Sequence, residues 1–389
     1  MSIFAFPSEM IGKLHSYFSV EMNSGGSRKI PMKVHFFLGL LVFTIVTCSC
    51  SINSSPSQVN NSQQNTNENP SYQGMNTSVP WAKLNLTGKL IYNAGLIRSE
   101  GLYSAIQSLD LSTGEVSTVF QDLKGGWIND LAVAPNACFL VMSYTPPPGT
   151  GMQDALYSIP LDGSQPPQLL FTPPIDQDQY YQPTWSPDGR YVYFAHFIVQ
   201  PRTTYEIMRM IYPDGKPEKV VDHAYWPRLS EDGTRLVYVS IDPATGANSL
   251  FFANADGTNA QQIPVTKLLT PMIIDAPMFS PDNQTILFSS PPKLQASATT
   301  LFDKIMGVSM VAADGTIPSD WWSVPLTGGE PNRLTRVHSL GLYGSFSPDK
   351  KHIASYSMYG IFVMKPDGTG VNMLVNDVGG INGTVNWIP

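Results

Sequence analysis

A short turn motif that recurs between runs of strand-forming residues is the feature that most constrains how this chain can fold. Each copy is a small residue followed by Pro-Asp-Gly or a variant of it, and neighbouring copies are 44 to 67 residues apart. Proline presets φ, and Gly or Asn accepts a positive φ, so each copy predicts a tight turn joining two strands. Self-similarity at this period indicates a repeat architecture. The copies begin at Ala134, Ser186, Ser230, Ser280 and Ser347.

A second turn signal follows in every repeat and doubles the number of predicted hairpins. Two hairpins make a four-stranded unit of about 45 residues, which is the size and strand count of a β-propeller blade. We therefore predict an all-β chain folded as a six-bladed β-propeller. The six second turns fall at 112–114, 161–163, 213–215, 255–257, 326–328 and 366–368.

The two ends of the repeat region predict how the ring closes. There are six second turns but five first turns, so one blade lacks its first strand. The C-terminal segment 383–389 supplies that strand, because it aligns with residues 181–187, with Trp387 at the position of Trp185. The last blade therefore joins the C-terminal strand to the first three strands of the propeller. This arrangement removes exposed sheet edges, and an open β-sandwich does not explain it.

The Ser-Pro-Asp-Gly repeats resemble those of TolB-type six-bladed propellers, a WD40-like repeat. They are also similar to the propeller domains of prolyl oligopeptidases and dipeptidyl peptidases. The resemblance covers about residues 87–389, and the predicted blade from Tyr181 to Val221 matches best. It implies the fold. It says little about function, because propellers host binding, scaffolding and catalysis alike.

The N-terminal region predicts export. Residues 34–46 form an apolar run that is too short to span a bilayer and matches the apolar core of a signal peptide. Cys48 and Cys50 follow it, which resembles the bacterial lipoprotein signal, where a cysteine thiol carries the lipid. Either cysteine fits as the attachment site, and either Met1 or Met32 fits as the start. An uncleaved membrane anchor and plain secretion are the alternatives.

Composition then divides the chain into three parts. Residues 1–50 are the predicted export segment, and 81–389 are the predicted propeller. Between them, 20 of the 29 residues from 51 to 79 are Ser, Asn, Gln or Thr, which predicts a disordered tether over residues 51–80. We expect a monomeric lipoprotein of the cell envelope, periplasmic or on the outer cell surface, held to the membrane by its N-terminal lipid.

Charge and motif content exclude several functions. The formal net charge is −7 and no cluster of Lys and Arg occurs, which argues against nucleic acid as a partner. The sequence contains no Gly-x-Ser-x-Gly nucleophile elbow, Walker loop or Cys-x-x-Cys pair. A serine peptidase is therefore excluded, and we predict no cofactor.

A binding surface is the function that the sequence favours. Tyr and Trp are favoured anchors at interfaces, and several of them gather at the starts of the predicted innermost strands. We expect them to bind a protein, peptide or glycan on the face that carries the connections between blades; simple packing of the blade ends is the alternative. The candidates are Trp127, Tyr180, Tyr181, Tyr225, Trp226 and Tyr343, together with Arg228 and Asp275.

Arg228 is a charge in an innermost strand, where it must be paired or face the axial channel. Asp130 and Asp275 are its predicted partners. In a functional interpretation, its guanidinium grips a carboxylate of the ligand instead.

Two other functions compete with simple binding. His196 and His223 fall in loops of one face, and some lyases that act on uronate sugars resemble this fold and hold a metal with histidines there. The second competitor is a structural propeller that organises other lipoproteins. Our main prediction is a non-catalytic binding or scaffold propeller of the cell envelope, with a metal-dependent carbohydrate lyase as its alternative.

Overall fold

The computed structural model describes residues 81–98, 101–147, 155–174, 178–199, 203–266, 273–292, 318–376, 378–379 and 383–389. The chain divides into a unit of residues 1–64 and a unit of residues 65–389, and all described residues belong to the second. The predicted export segment and tether, including Cys48 and Cys50, lie outside the described residues.

Within the described ranges, 24 strands form six antiparallel sheets of four strands each. A short 3-10 helix, Trp81–Leu84, precedes them. The first strands are β1 (Lys89–Arg98), β2 (Gly101–Asp110) and β3 (Val116–Asp122). Blade 1 contains β4 (Trp127–Val133), β5 (Phe139–Thr145), β6 (Ala155–Pro160) and β7 (Gln168–Phe171). Blade 2 contains β8 (Gln179–Trp185), β9 (Tyr191–Ile198), β10 (Thr204–Ile211) and β11 (Glu218–Asp222).

The remaining strands continue the same pattern. Blade 3 contains β12 (Ala224–Leu229), β13 (Arg235–Ile241), β14 (Asn248–Asn254) and β15 (Gln261–Gln262). Blade 4 contains β16 (Asp275–Phe279), β17 (Thr285–Ser290), β18 (Asp320–Pro325) and β19 (Asn332–Arg333). Blade 5 contains β20 (Tyr343–Phe346), β21 (Ile353–Ser357), β22 (Gly360–Met364) and β23 (Asn372–Asn376). Blade 6 joins β24 (Val385–Ile388) to β1, β2 and β3.

The first strand of each blade lines the axis of the ring. These strands contact one another in the order β4, β8, β12, β16, β20, β24 and back to β4. Six sheets arranged this way make a closed six-bladed β-propeller. The predicted fold is therefore confirmed.

The Ser-x-Asp turn explains why the first motif recurs. In blade 2 the Ser186 hydroxyl donates to Asp188 Oδ1 at 2.6 Å and accepts the backbone N–H of Tyr191 at 2.8 Å. Asp188 in turn accepts the backbone N–H of Arg190 at 3.0 Å. Gly189 adopts a φ of 70°, which glycine tolerates without strain. The same serine and aspartate bonds recur at 230–235, 280–285 and 347–352.

The seam of blade 6 confirms the predicted closure. β24 pairs antiparallel with β1, with Ile388 opposite Lys89 and Val385 opposite Tyr92. Trp387 donates its backbone N–H to Ser345 Oγ of blade 5 at 3.0 Å, which ties the terminal strand to its neighbour. On the other side, the Thr384 hydroxyl accepts the backbone N–H of Leu131 in blade 1 at 2.9 Å. The last strand therefore bonds to blades on both sides.

Apolar side chains fill the spaces between blades, and indole N–H groups form hydrogen bonds from one blade to the next. Trp185 is buried and donates its indole N–H to the Ala132 carbonyl of blade 1 at 3.0 Å. Trp321 is fully buried and donates to Ser355 Oγ of blade 5 at 2.8 Å. Each buried indole N–H thus has a partner, as burial of a donor requires.

Candidate functional site

Two cavities occupy the two ends of the axial channel. One, of about 330 Å³, opens among the Ser-x-Asp turns, and its lining includes Pro135, Pro187 and Pro281. We call it the turn-side cavity. The other, of about 320 Å³, opens where the innermost strands begin, and its lining includes Trp127 and Asp275. We call it the connection-side cavity.

Arg228 and Tyr343 meet between the two cavities. Tyr343 lines both cavities, whereas Arg228 lines the turn-side one. The guanidinium carbon of Arg228 lies 4.5 Å from the centroid of the Tyr343 ring. Arg228 also donates to the Tyr343 hydroxyl and, at 2.5 Å, to the Gly344 carbonyl. A cation from blade 3 is thereby held by blade 5 across the channel.

Arg228 therefore bonds to groups that differ from those predicted. The sequence predicted Asp130 and Asp275 as its partners. Asp130 Oδ2 instead accepts the backbone N–H of Gln182 at 3.0 Å, and Asp275 Oδ1 accepts the indole N–H of Trp226 at 3.2 Å. The two carboxylates face the connection-side cavity.

Irregular strand pairing turns several side chains toward that cavity. The register of the innermost strand shifts between Tyr181 and Thr184 in β8, and again between Tyr225 and Arg228 in β12. Inside these bulges Gln182 and Trp226 adopt φ values of 54° and 55°, a conformation uncommon for such residues. The bulges release backbone N–H groups from the sheet ladder. Strained backbone of this kind clusters at ligand sites.

The released groups connect four blades through one chain of hydrogen bonds. Asp130 of blade 1 accepts from the backbone of Gln182, as above. The Gln182 side chain then accepts the backbone N–H of Trp226 at 2.8 Å, and the Trp226 indole donates to Asp275. Polar groups at the cavity wall are therefore fixed by neighbours from separate blades. A site held this way is preorganised for a ligand.

Burial and nearby charges of both signs act on the hydroxyl of Tyr343, which lines both cavities. Burial raises the pKa of the Tyr343 hydroxyl; the Arg228 cation lowers it, and the Asp130 carboxylate raises it. The Asp130 carboxylate of blade 1 therefore interacts electrostatically with the buried Tyr343 hydroxyl of blade 5.

The lining combines aromatic faces with acidic and amide groups, and all six blades contribute to it. Neither lysine nor arginine occurs among these lining residues. The aromatic members are Trp127, Tyr181, Tyr205, Trp226 and Tyr343. The others are Asn129, Asp130, Gln182, Asp275, Ser289, Ser319, Gly341, Leu342 and Gly383.

Five of the eight predicted binding residues line this cavity: Trp127, Tyr181, Trp226, Asp275 and Tyr343. Sequence reasoning missed Asn129, Gln182 and Tyr205. Asn129 and Gln182 lie within the irregular parts of β4 and β8, and a repeat alignment carries no signal for such bulges.

Tyr180, Tyr225 and Arg228 do not line the connection-side cavity. Tyr180 is 2% exposed and packs edge-on against Phe194, with ring centroids 4.9 Å apart. Tyr225 is 9% exposed and stacks on Tyr205 at 5.2 Å. For these two tyrosines, the alternative of packing at the blade ends describes the structure.

His196 and His223, the candidate ligands of the alternative metal site, contact different residues. The His223 Nδ1 atom lies 2.9 Å from the Thr204 hydroxyl. His196 lies inside β9, not after it as predicted, and is buried between two carboxylates. Its Nδ1 is 3.0 Å from Glu206, and its Nε2 is 3.3 Å from Asp178 without the geometry of a hydrogen bond. Among the described residues, no three His, Cys, Asp or Glu side chains are grouped to hold a metal.

The described residues contain no helix that is long and apolar enough to cross a bilayer. The apolar run 34–46 is outside those residues, as are both cysteines predicted to carry lipid.

No family model matches the sequence, and no curated protein is similar to it. The fold, in contrast, occurs in solved structures. TolB from Acinetobacter baumannii has a TM-score of 0.53 and 15% identity, over 77% of this chain and 66% of that chain. A TolB structure from Agrobacterium tumefaciens has a TM-score of 0.52 and 16% identity, over 78% of this chain and 99% of that chain. A chain of a nidogen/laminin complex has a TM-score of 0.51 and 8% identity, over 77% of this chain and 98% of that chain.

These comparisons define the class of the described domain. It is a TolB-like six-bladed β-propeller, as the repeats predicted. This chain spans slightly less than two thirds of the length of the A. baumannii protein. At such low identities, the likeness shows the fold alone.

Proposed function

We propose that this protein is a non-catalytic binding propeller of the cell envelope that recognises a protein or peptide at its connection-side cavity. The cavity itself carries the proposal, because every blade contributes to it and its wall combines aromatic and polar groups. Concave sites of this composition are the usual places for ligands. The nidogen/laminin complex offers a parallel, since it contains a propeller-like chain within a protein assembly.

The rigidity of the wall supports binding. Trp226 is fixed through both its backbone and its indole N–H, by Gln182 and Asp275. A large aromatic side chain that is already ordered loses little conformational entropy when a partner arrives. Anchors of this type dominate the energetics of many interfaces.

The location in the cell envelope rests on the sequence. We propose that residues 1–50 direct export, that Cys48 or Cys50 carries a lipid, and that 51–80 tether a monomeric propeller to the membrane. Labelling cells with an alkyne fatty acid tests this step: Cys48→Ser or Cys50→Ser abolishes the label on the mature protein. Retention of the label in both single variants and in the double variant contradicts the proposal.

The contacts of the histidines favour binding over the metal-dependent lyase. A metal needs a ring nitrogen with a free lone pair, but both nitrogens of His196 face carboxylate oxygens. His223, the other proposed ligand, is engaged with Thr204.

Photo-crosslinking in intact cells tests the proposed function. Benzoylphenylalanine replaces Tyr181 at the connection-side cavity or, as a matched control, Phe346 at the turn-side cavity; both native side chains are half-buried aromatics. We expect a discrete crosslinked product from position 181 and none from position 346. Products from position 346 alone, or from neither position, contradict the proposal.

A further inference from the structure

We propose that the turn-side cavity binds a small organic carboxylate, held by the guanidinium of Arg228. This site is at the opposite end of the channel from the connection-side cavity, so the inference goes beyond the proposed function and does not depend on it. Three observations carry it: the ring of side chains around the cavity, the hydrogen-bond partners of Arg228, and a buried hydroxyl that lines the cavity.

Each blade contributes one side chain from the same repeat position to the wall of the turn-side cavity. The position lies two residues before the residue that opens the first turn of each repeat, and the alignment of Trp387 with Trp185 identifies its equivalent in the last blade. Three of the six side chains are uncharged and polar, two are apolar, and one is a cation. In ring order they are Ala132, Thr184, Arg228, Met278, Ser345 and Asn386.

Arg228 has neutral hydrogen-bond acceptors. It donates to the Tyr343 hydroxyl and to the Gly344 carbonyl, which engages two of the five N–H groups of a guanidinium. Among the described residues, Arg209 and Arg333 form ion pairs, whereas Arg228 has no carboxylate within ion-pair distance. A cation withdrawn from bulk water is normally paired, and the planar fork of a guanidinium matches a carboxylate. Arg228 therefore has both the charge and the donors to bind an acid.

The other charges of this cavity compensate each other. Lys350 and Glu231 both line it and lie 3.2 Å apart, with side chains that are 38% and 55% exposed. Asp130, whose carboxylate interacts with the Tyr343 hydroxyl, lines the connection-side cavity and not this one. The net charge of the turn-side lining is therefore that of Arg228, and it attracts an anion.

Two hydroxyl groups of the ring add neutral donors. Thr184 is 8% exposed, and in the part of the chain that the structure describes its hydroxyl has no hydrogen-bond partner. Leaving a buried hydroxyl without a partner costs free energy, which a ligand in the cavity recovers. Ser345 Oγ accepts the backbone N–H of Trp387 at 3.0 Å, so its own hydrogen is available to donate. An ionised carboxylate only accepts hydrogen bonds, and it is complementary to this set of donors.

The volume and the single net charge define the size and type of the acid. The cavity measures about 330 Å³, near the lower end of the range for small-ligand pockets, about 300–1,000 Å³. Ala132 and Met278 in the ring supply apolar surface for a short carbon chain. One cation balances one carboxylate, whereas a phosphate group carries up to two negative charges near neutral pH. A small carboxylic acid therefore fits the cavity better than a phosphate does.

Three pairs of small molecules test the inference directly: butyrate and butyramide, succinate and succinamide, and benzoate and benzamide. The members of each pair differ in charge and little in shape. Ligand-observed NMR titration of the full chain measures their affinities, including weak ones. We expect at least one carboxylate to bind, and its amide to bind at least about tenfold more weakly. We also expect binding of the carboxylate to weaken as salt is raised.

Variants locate the interaction. Arg228→Met removes the guanidinium, so we expect at least about a tenfold loss of carboxylate affinity, and Arg228→Lys, which keeps the charge without the fork, loses less. Thr184→Val keeps the shape and removes the hydroxyl, with an expected loss of about fivefold. Arg235→Met is the matched control, because Arg235 is a half-buried arginine of the same blade that does not line the cavity. Thermal melting of each variant shows whether the fold is retained.

Several results overturn the inference. It is contradicted if no carboxylate binds more tightly than its own amide, or if inorganic phosphate binds more tightly than every carboxylate of the set. Unchanged affinity in both Arg228→Met and Thr184→Val contradicts it as well. So does an equal loss of affinity in Arg235→Met and Arg228→Met, because a loss at a distant arginine would reflect the net charge of the protein and not this cavity.

Discussion

Trp387, two residues before the end of the chain, donates its indole N–H to the backbone carbonyl of Thr87 at 2.9 Å. This bond and the β24–β1 ladder around it join two segments that are 300 residues apart in the sequence. The ring is therefore held at its seam by noncovalent contacts between the two ends of the propeller. We therefore expect the stability of the whole domain to depend on a segment of four residues, Val385–Ile388.

The first prediction concerns this seam. Trp387 is 7% exposed, so Trp387→Ala leaves a large cavity, and we expect a loss of about 3–5 kcal/mol in the free energy of unfolding. Trp387→Phe keeps most of the ring packing and loses the indole bond, at a cost of about 1 kcal/mol from the hydrogen bond. Chemical denaturation measures both. If Trp387→Ala unfolded at the same denaturant concentration as the wild-type protein, the seam would not contribute to the stability of the domain.

The second prediction concerns the contact across the channel. Tyr343→Phe removes the hydroxyl that accepts from Arg228 but retains the ring beneath the guanidinium. Arg228→Met removes the donor. Because the two groups interact directly, we expect a coupling energy of about 0.5–3 kcal/mol in a double-mutant cycle monitored by unfolding. Strictly additive effects would mean that the two side chains do not stabilise one another.

A third prediction follows from the Ser-x-Asp turns. The hydrogen bond from Ser230, followed by the one from the Thr234 backbone, lowers the pKa of Asp232 from 3.8 to about 2. A carboxyl whose pKa is lower in the folded state stabilises the fold above pH 3.8, and this contribution is lost as the pH falls toward about 2. We expect Ser230→Ala to move the pKa of Asp232 back toward 3.8.

NMR titration of the side-chain carboxyl measures this change. The equivalent Asp282 in blade 4 keeps its own serine, so its titration is the internal control. An unchanged Asp232 titration in Ser230→Ala would assign the low pKa to a different cause.

The fourth prediction concerns a close approach of two backbones. Gly95 donates its backbone N–H to the Val378 carbonyl at 2.7 Å, and a Cβ added at Gly95 would lie 2.3 Å from the Gly379 carbonyl oxygen. Gly95→Ala must therefore separate β1 from the connection that leads to β24. We expect a loss of about 1–3 kcal/mol and faster hydrogen exchange at the amide of residue 95.

Gly246→Ala serves as the comparison for that variant. A Cβ at Gly246 meets nothing within 4 Å, so the cost there arises from its positive φ alone. We expect the amide of Gly95 to remain protected in this variant. Equal protection of that amide in Gly95→Ala would argue against the backbone contact.

The sequence predicted the fold well because the turns carry their own chemistry. Ser186, Asp188 and Gly189 form one self-contained unit of hydrogen bonds and φ angles, so their recurrence marks blade after blade. The seam was predictable for the same reason, since Trp387 repeats the position of Trp185. Local rules were sufficient wherever the contacts were local.

The site was harder to predict because bulges decide which side chains reach the channel. Tyr180 and Tyr181 are adjacent aromatics, yet the first is buried in the blade and the second lines the cavity. Alternation along a strand makes neighbours point to opposite faces, and a bulge shifts that alternation by a residue. The partner of Arg228 was missed because Tyr343 lies 115 residues away, on the other side of the ring.

The most direct test of the account compares the two ends of the channel in one binding measurement. The partner captured at position 181 is purified, and surface plasmon resonance measures its Kd for Trp127→Ala on the connection side and Glu231→Ala on the turn side. We predict that Trp127→Ala weakens binding at least about tenfold, as loss of an aromatic anchor does, and that Glu231→Ala leaves Kd unchanged. An unchanged Kd for Trp127→Ala, with weakening by Glu231→Ala, would place the binding site at the wrong end and contradict the account.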